Sequence, residues 1–151
     1  MLRHTVATLA YRAGKALRGA APEFPNYRAD ASSRTPVEIL AHMGDLFDWA
    51  LTLANGQQKW NNATPLPWDQ EVQRFFMTLQ AFDDRLASPE PLVETPEKLF
   101  QGPIADALTH TGQIAMLRRM AGCKIPGENY HIAEVVEGRV GLAQAAPRVE
   151  F

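Results

Sequence analysis

Two residues of metal-ligand type, Asp106 and His110, stand one helical turn apart in the segment 102–122. Side chains at this spacing lie on one face of a helix, and ligands on successive turns can point at a single metal ion. Most of the surrounding face is apolar, and burying an Asp or a His is costly unless it is paired or coordinated. The spacing therefore indicates half of a metal site. A hydrogen bond on the helix surface would use the same arrangement.

A third residue of this kind, His42, lies on an apolar stripe of an earlier segment. Its neighbours on that stripe, at steps of three and four, are Ile39, Leu46, Trp49 and Leu53. This pattern is typical of a helix that faces a core. A lone histidine there is commonly a hydrogen-bonded core residue, and Asp45 offers it a partner. The alternative is that His42 joins Asp106 and His110 as a ligand.

His42, Asp106 and His110 would provide two imidazoles and one carboxylate. This set suits Zn, Ni, Fe or Mn and does not select among them. Three protein ligands leave coordination positions open, as in catalytic rather than structural sites, and a water or a thiol could be activated there. Gln113, one turn beyond His110, is the candidate catalytic residue, either by orienting that imidazole or by donating to a substrate.

Four segments with helical periodicity must position these side chains. We expect helices at about 2–19, 36–55, 68–88 and 102–122. The second opens with Thr35-Pro36-Val37-Glu38, a capping box with proline at the first helical position. The fourth opens at Gly102-Pro103 and stops at Gly122. A second cap-plus-proline start at Thr95-Pro96 precedes it, and we expect a short turn through Leu99 and Phe100 to lead into it. The third shows no polar residue in its apolar seam, and we expect Asp83 in solvent.

These segments predict an all-α protein: a four-helix bundle with long, crossover-type loops. The chain is expected to form a single domain over 1–151, with the bundle at about 1–122. The remaining segment, 123–151, is punctuated by glycine and proline. We expect it to be an extended tail that wraps the bundle.

Composition narrows the classes of function. The formal charge is −2 with no basic block, which argues against nucleic acid as a partner, and no apolar run approaches the roughly 20 residues that span a membrane. The single Cys123 fits a reducing compartment, so we expect a cytoplasmic protein. The basic, acid-free N-terminus imitates a transit peptide, but its apolar residues recur at helical spacing and favour an ordinary first helix.

The segment THTGQIAMLRRMAG, with His110, Gly112, Gln113 and Ile114 at its core, resembles the DinB/YfiT-type metal-binding four-helix bundles. The segment EILAHM, which ends just after His42, supports this resemblance, which covers residues 1–125 by architecture. It implies unusual helix connectivity, often a homodimer, and a divalent metal ion held by three ligands. Some members are transferases or isomerases that use a low-molecular-weight thiol. Many members have His where this chain has Asp106.

Two functions remain open at this point. One is a metal-dependent enzyme, a thiol-dependent transferase or a hydrolase, that acts on a small molecule. The other is a non-catalytic bundle that binds a partner or a small ligand, with a degenerate metal site in which Asp106 accepts hydrogen bonds from both histidines. No phosphate-binding loop, nucleophile elbow or dinucleotide fingerprint suggests another chemistry.

Overall fold

The protein is all-α in a computed structural model that describes all residues 1–151. The helices are α1 (Leu2–Leu17), α2 (Pro36–Ala54), α3 (Trp68–Ala87), α4 (Pro96–Leu99) and α5 (Ala105–Met120). A π turn at Phe100–Ile104 joins α4 to α5, and 3₁₀ turns lie at Phe24–Asn26 and Tyr130–Ile132. There is no strand, only one isolated bridge between Glu128 and Glu150. None of the helices combines the length and apolarity needed to cross a membrane.

The four long helices share one hydrophobic core. Helix α2 packs most extensively against α3, and α1 packs against α5; contacts between α1 and α3 and between α2 and α5 join the two pairs. Buried residues from all four enter the same cluster, for example Leu9, Phe47, Phe75 and Ile114. The contact between α2 and α5 matters for function, because these helices carry the three predicted metal ligands.

Local sequence sets the start of α2 as predicted. The Thr35 side chain accepts a hydrogen bond from the Glu38 N–H, and the Glu38 carboxylate accepts one from the Thr35 N–H at 2.7 Å. Pro36 is the first helical residue, where a missing N–H costs nothing. The reciprocal cap fixes where the helix begins and therefore which face His42 occupies.

The predicted cap-plus-proline start at Thr95-Pro96 is confirmed, because Thr95 caps the first turn of α4 and Pro96 is its first residue. The predicted start of a new helix at Gly102-Pro103 is wrong, because the helical path runs without a break from Pro96 through the π turn into α5. Pro103 lies inside that path. Because proline has no N–H to bond to the carbonyl four residues earlier, its turn departs from regular α geometry. The predicted stop at Gly122 is confirmed, with φ at +78°.

Helix α3 carries buried carboxylates that its sequence pattern did not reveal. Glu71 is fully buried and Asp83 is 1% exposed, so the expectation of an entirely apolar seam and a solvated Asp83 is wrong. Arg3 of α1 donates to both oxygens of Asp83, at 3.1 and 2.9 Å. A charged partner offsets the cost of burying a carboxylate, and the partner of Asp83 lies far away in the chain.

The segment after α5 is tied to α1 by a buried polar cluster. Lys15 Nζ lies 2.7 Å from carboxylate oxygens of both Glu128 and Glu150, and the Tyr11 hydroxyl donates to Glu128 at 2.6 Å. Val140 of the same segment enters the hydrophobic core. The tail is therefore a packed part of the fold.

Candidate metal centre

The structure brings the three predicted ligands together at the contact of α2 and α5. His42 Nε2 lies 3.4 Å from Asp106 Oδ2, and His110 Nε2 lies 3.4 Å from Asp106 Oδ1. One ligand atom from each residue can be chosen so that all three lie within 4.8 Å of one another. The two imidazole rings are perpendicular, with centroids 4.9 Å apart. The cluster therefore presents three electron-pair donors to one small volume.

The separations are close to, but wider than, those of an occupied metal site. In a tetrahedral site with bonds of 2.0–2.1 Å, the ligand atoms are about 3.3 Å from one another. The two 3.4 Å distances in the cluster involve different oxygens of Asp106, and one ligand atom from each residue lies within 4.8 Å of the others. Both 3.4 Å contacts are also longer than a charged hydrogen bond, which brings nitrogen and oxygen to about 2.7–2.9 Å. Small side-chain rotations would bring the three ligand atoms to a shared ion.

Gln113 contacts the far side of one ligand. Its Oε1 lies 2.8 Å from His110 Nδ1. With the ring proton on Nδ1, His110 donates to this oxygen, and the lone pair of Nε2 then faces Asp106. Metal-binding histidines commonly have such a partner on the second nitrogen, and it fixes both tautomer and ring orientation. Gln113 is therefore placed to orient His110.

The environment of His42 favours the neutral imidazole. Burial lowers the pKa of His42 below its ordinary value, the neighbouring His110 and the charge of Arg34 lower it further, and Asp106 opposes the shift. A metal ion binds the unprotonated nitrogen, so protons compete with it for this site. A lowered pKa keeps the ligand available to an ion over a wider range of pH.

The cluster is more open than the sequence pattern indicated. His110 is buried, at 9% exposed, but the side chain of Asp106 is 46% exposed, so its expected place inside a buried face is wrong. Met116 and Met120 on the same helix also face solvent. The packed face of α5 is narrower than its apolar pattern suggests, because the neighbouring helices cover only one side of it. Solvent and small molecules can reach the ligands.

Two shallow depressions flank the cluster. One, of about 440 Å³, is lined by Asp106, Trp49 and Gln101 among others. The second, of about 390 Å³, is lined by His110 and Arg34 among others. A small molecule bound in either depression would lie against a ligand of the candidate site.

A tryptophan of the loop after α2 packs beside the cluster. The Trp60 ring lies 5.6 Å from the His42 ring and 5.8 Å from the Trp49 ring, between centroids.

Asp45, the partner suggested for His42, instead binds Arg74 at 2.9 Å and accepts from the Ala63 N–H at 3.1 Å. No spacing rule within α2 links Asp45 to α3, so the sequence held no signal for this pairing.

No protein-family model, curated protein or solved structure gives a significant match to this chain. The resemblance to DinB/YfiT-type proteins therefore stays a prediction from the segments around His42 and His110. The candidate metal site is supported by the geometry of the three side chains.

Proposed function

We propose that this protein is a divalent-metal-dependent enzyme of the DinB-like type, a thiol-dependent transferase or a hydrolase acting on a small molecule. The observation that carries the proposal is the convergence of His42, Asp106 and His110, whose ligand atoms lie within 4.8 Å of one another. Two histidines and a carboxylate suit Zn, Ni, Fe or Mn. The choice among these ions belongs to experiment.

The exposed side of the cluster supports catalysis over a structural role. Three protein ligands are fewer than a closed structural site uses, and Asp106 faces solvent. A divalent ion held here would supply Lewis acidity and lower the pKa of a thiol or water that it binds. The residues have separate tasks: both imidazoles offer lone pairs, Asp106 offsets part of the positive charge, and Gln113 orients His110.

Helix packing is consistent with the proposed bundle. Contacts between α1 and α5, α2 and α3, α1 and α3, and α2 and α5 are those expected when four helices surround one core. Metal sites in bundles take ligands from facing helices, as α2 and α5 would provide here. The homodimer and the low-molecular-weight thiol that the resemblance implies belong to the same proposal. Light scattering of the purified protein tests the dimer.

Metal content is the direct test. Protein purified without a histidine tag is incubated with Zn, Ni, Fe or Mn salts, dialysed, and measured by elemental analysis. We expect near-stoichiometric retention of at least one metal by the wild type, and loss of that metal in His42→Ala and His110→Ala. His131→Ala is the matched control, because His131 is an exposed histidine outside the cluster. Wild type that retains none of the four ions would overturn the proposal.

The second candidate is a non-catalytic bundle that binds a partner or ligand, and one observation favours it. Asp106 lies 3.4 Å from both imidazoles, so it could bridge them without an ion. Asp106→Asn separates the two functions, because the amide oxygen still accepts hydrogen bonds but is a poor metal ligand. Under the metal hypothesis this variant folds and loses the ion. Under the alternative, neither protein retains metal and the two have similar stability.

Reaction class is tested next on metal-loaded protein. Conjugation of a simple thiol to 1-chloro-2,4-dinitrobenzene reports thiol transfer, and release of p-nitrophenol from p-nitrophenyl acetate reports hydrolysis. We expect one of these activities in the wild type and its loss in Asp106→Asn. Equal rates in both proteins would show that the cluster does not carry the reaction.

A further inference from the structure

Arg34, immediately before the cap of α2, has no partner within the protein. Its guanidinium makes no hydrogen bond or ion pair, and the residue is exposed. The nearby Arg28, by contrast, donates to the Ser33 carbonyl and pairs with Glu38. The two acids nearest in sequence to Arg34 are thus already engaged, since Asp30 accepts from Ser32 and from the Ser33 N–H and Glu38 also accepts from the Thr35 N–H. Arg34 keeps its full charge available for a ligand.

This free cation lines the depression that ends at the metal cluster. Besides Arg34, the polar residues that line it include His110 and Gln113, and the buried Ile39 and Leu117 add apolar surface. One small molecule could therefore contact both Arg34 and a ligand of the cluster.

The charges near this depression favour an anion. A divalent ion with Asp106 as its one carboxylate ligand leaves about one net positive charge, and Arg34 adds another. Arginine binds planar carboxylates through paired N–H donors. A thiolate or hydroxide bound to the ion would balance the charge there, which leaves only the charge of Arg34, the one lysine or arginine lining this depression, for the rest of the molecule. One positive charge matches a carboxylate better than a phosphate monoester, which carries about −1.5 to −2 charges and three acceptor oxygens. The depression on the other side of the cluster is lined by no lysine or arginine.

We infer that the small molecule bound at this site carries a carboxylate, and that Arg34 is the residue that binds it. The reactive end of the molecule then lies at the cluster of His42, Asp106 and His110, with its apolar portion on Ile39 and Leu117. This inference rests on the proposed function, because it needs the metal centre beside the depression. Arg34 would thus determine substrate specificity, with the cluster as the reactive centre.

The test uses Co²⁺-loaded protein, in which thiolate binding to cobalt produces a near-ultraviolet charge-transfer band. The probes are 3-mercaptopropionate and its neutral analogue 3-mercaptopropionamide, and the measured quantity is the ratio of their dissociation constants. We expect the change Arg34→Gln to reduce the preference for the carboxylate about tenfold, the weight of one hydrogen bond to a charged group. Comparing the same two probes between proteins cancels the difference between their own thiol pKa values.

The matched control is Arg119→Gln, because Arg119 is an exposed, unpaired arginine on α5 outside the depression. It removes the same charge, and we expect it to leave the ratio unchanged. An unchanged ratio in Arg34→Gln, or an equal fall in both variants, overturns the inference while the metal centre stands. If wild type binds neither Co²⁺ nor any of Zn, Ni, Fe and Mn, the proposed function fails first and this inference fails with it. Circular dichroism confirms that both variants are folded.

Discussion

The network around Arg74 and the cluster of His42, Asp106 and His110 both place ionisable side chains beside α2, yet their contacts differ. Arg74 donates to Glu71 and Asp45 at 2.9 Å each and to the Ala41 carbonyl at 2.6 Å. Both carboxylates are nearly inaccessible, with side chains 0% and 5% exposed. In the histidine cluster the separations are 3.4 Å and Asp106 is half-exposed.

The difference separates a structural network from a candidate functional site. Around Arg74, each of the two buried acids accepts from the guanidinium and from a backbone N–H, so the network is complete in its hydrogen bonds. The histidine cluster gathers three electron-pair donors and has no cation among them. His42, whose pKa is lowered by burial, is incompletely partnered and lies beside the accessible Asp106, an arrangement typical of functional sites.

The Arg74 network also helps to position the histidine cluster. Asp45 accepts from the Ala63 N–H and Glu71 accepts from the Leu66 N–H, which secures the loop that carries Trp60 to the His42 ring. Arg74 holds the carbonyl of Ala41, the residue before His42. Charges that stabilise the fold therefore help to position one wall of the site.

The largest expected effect comes from breaking the Arg74 network. Arg74→Met leaves Asp45 and Glu71 buried without their cation, and we expect the free energy of unfolding to fall by about 3–5 kcal/mol. Urea denaturation followed by circular dichroism measures it. Arg119→Met, at an exposed site, should change stability by less than about 0.5 kcal/mol. A similarly small loss in Arg74→Met would mean that the network is not a major source of stability.

For the histidine cluster we expect a gain in stability rather than a loss, and only when a metal ion is supplied. Zn²⁺ at 100 times its dissociation constant should stabilise the wild type by about 2.7 kcal/mol. For a chain of this size that corresponds to a rise in Tm of roughly 5–11 °C, measured by thermal denaturation with and without Zn²⁺. Asp106→Asn should show no such rise, and His131→Ala should show all of it. Equal rises in all three proteins would indicate binding elsewhere.

A smaller effect is expected when the partner of His110 is removed. Gln113→Ala frees the Nδ1 side of the ring, and we expect metal affinity to fall about 10- to 100-fold with the stoichiometry unchanged. Competition titration against a chromophoric chelator measures the affinity. Gln73→Ala, an exposed glutamine of α3, is the control. If both variants match the wild type, Gln113 has no orienting role.

The smallest effect concerns the buried cluster of Tyr11, Lys15, Glu128 and Glu150, which ties the C-terminal segment to α1. There, a change in stability is expected only at high pH. Burial and the hydrogen bond to Glu128 raise the pKa of Tyr11 from 10.0 to about 12. Between these values the unfolded chain has lost the tyrosine proton and the folded protein keeps it, so stability falls as pH rises. Below pH 10 the contribution is fully present.

Tyr11→Phe tests this dependence through denaturant titrations at pH 9, 10, 11 and 12. We expect a shallower loss of stability between pH 10 and 12 than in the wild type. Tyr27→Phe is the control, because the Tyr27 side chain is part-buried and makes no hydrogen bond to a carboxylate. A slope for Tyr11→Phe equal to that of the wild type would contradict the assignment.

The three candidate ligands could be selected from sequence because each interrupts an apolar stripe. His42 is recognisable by its neighbours at steps of three and four, and Asp106 with His110 by the i,i+4 spacing. The exposure of Asp106 could not be read in this way, since a stripe shows which residues share a face but not how far the neighbouring helix covers it. The contact between Trp60 and His42 could not be predicted from the sequence either, because it depends on the path of a loop.

The features that the sequence by itself determined are those that depend on local interactions. The Thr35–Glu38 cap, the stop at Gly122 and the periodicity of the long helices all depend on residues within about four positions of one another. The tertiary structure alone decided that Arg3 meets Asp83, that Arg74 meets Asp45, and that α2 lies against α5. These pairings join distant parts of the chain through packing of the shared core. The same packing turns three separate polar residues into one candidate metal centre.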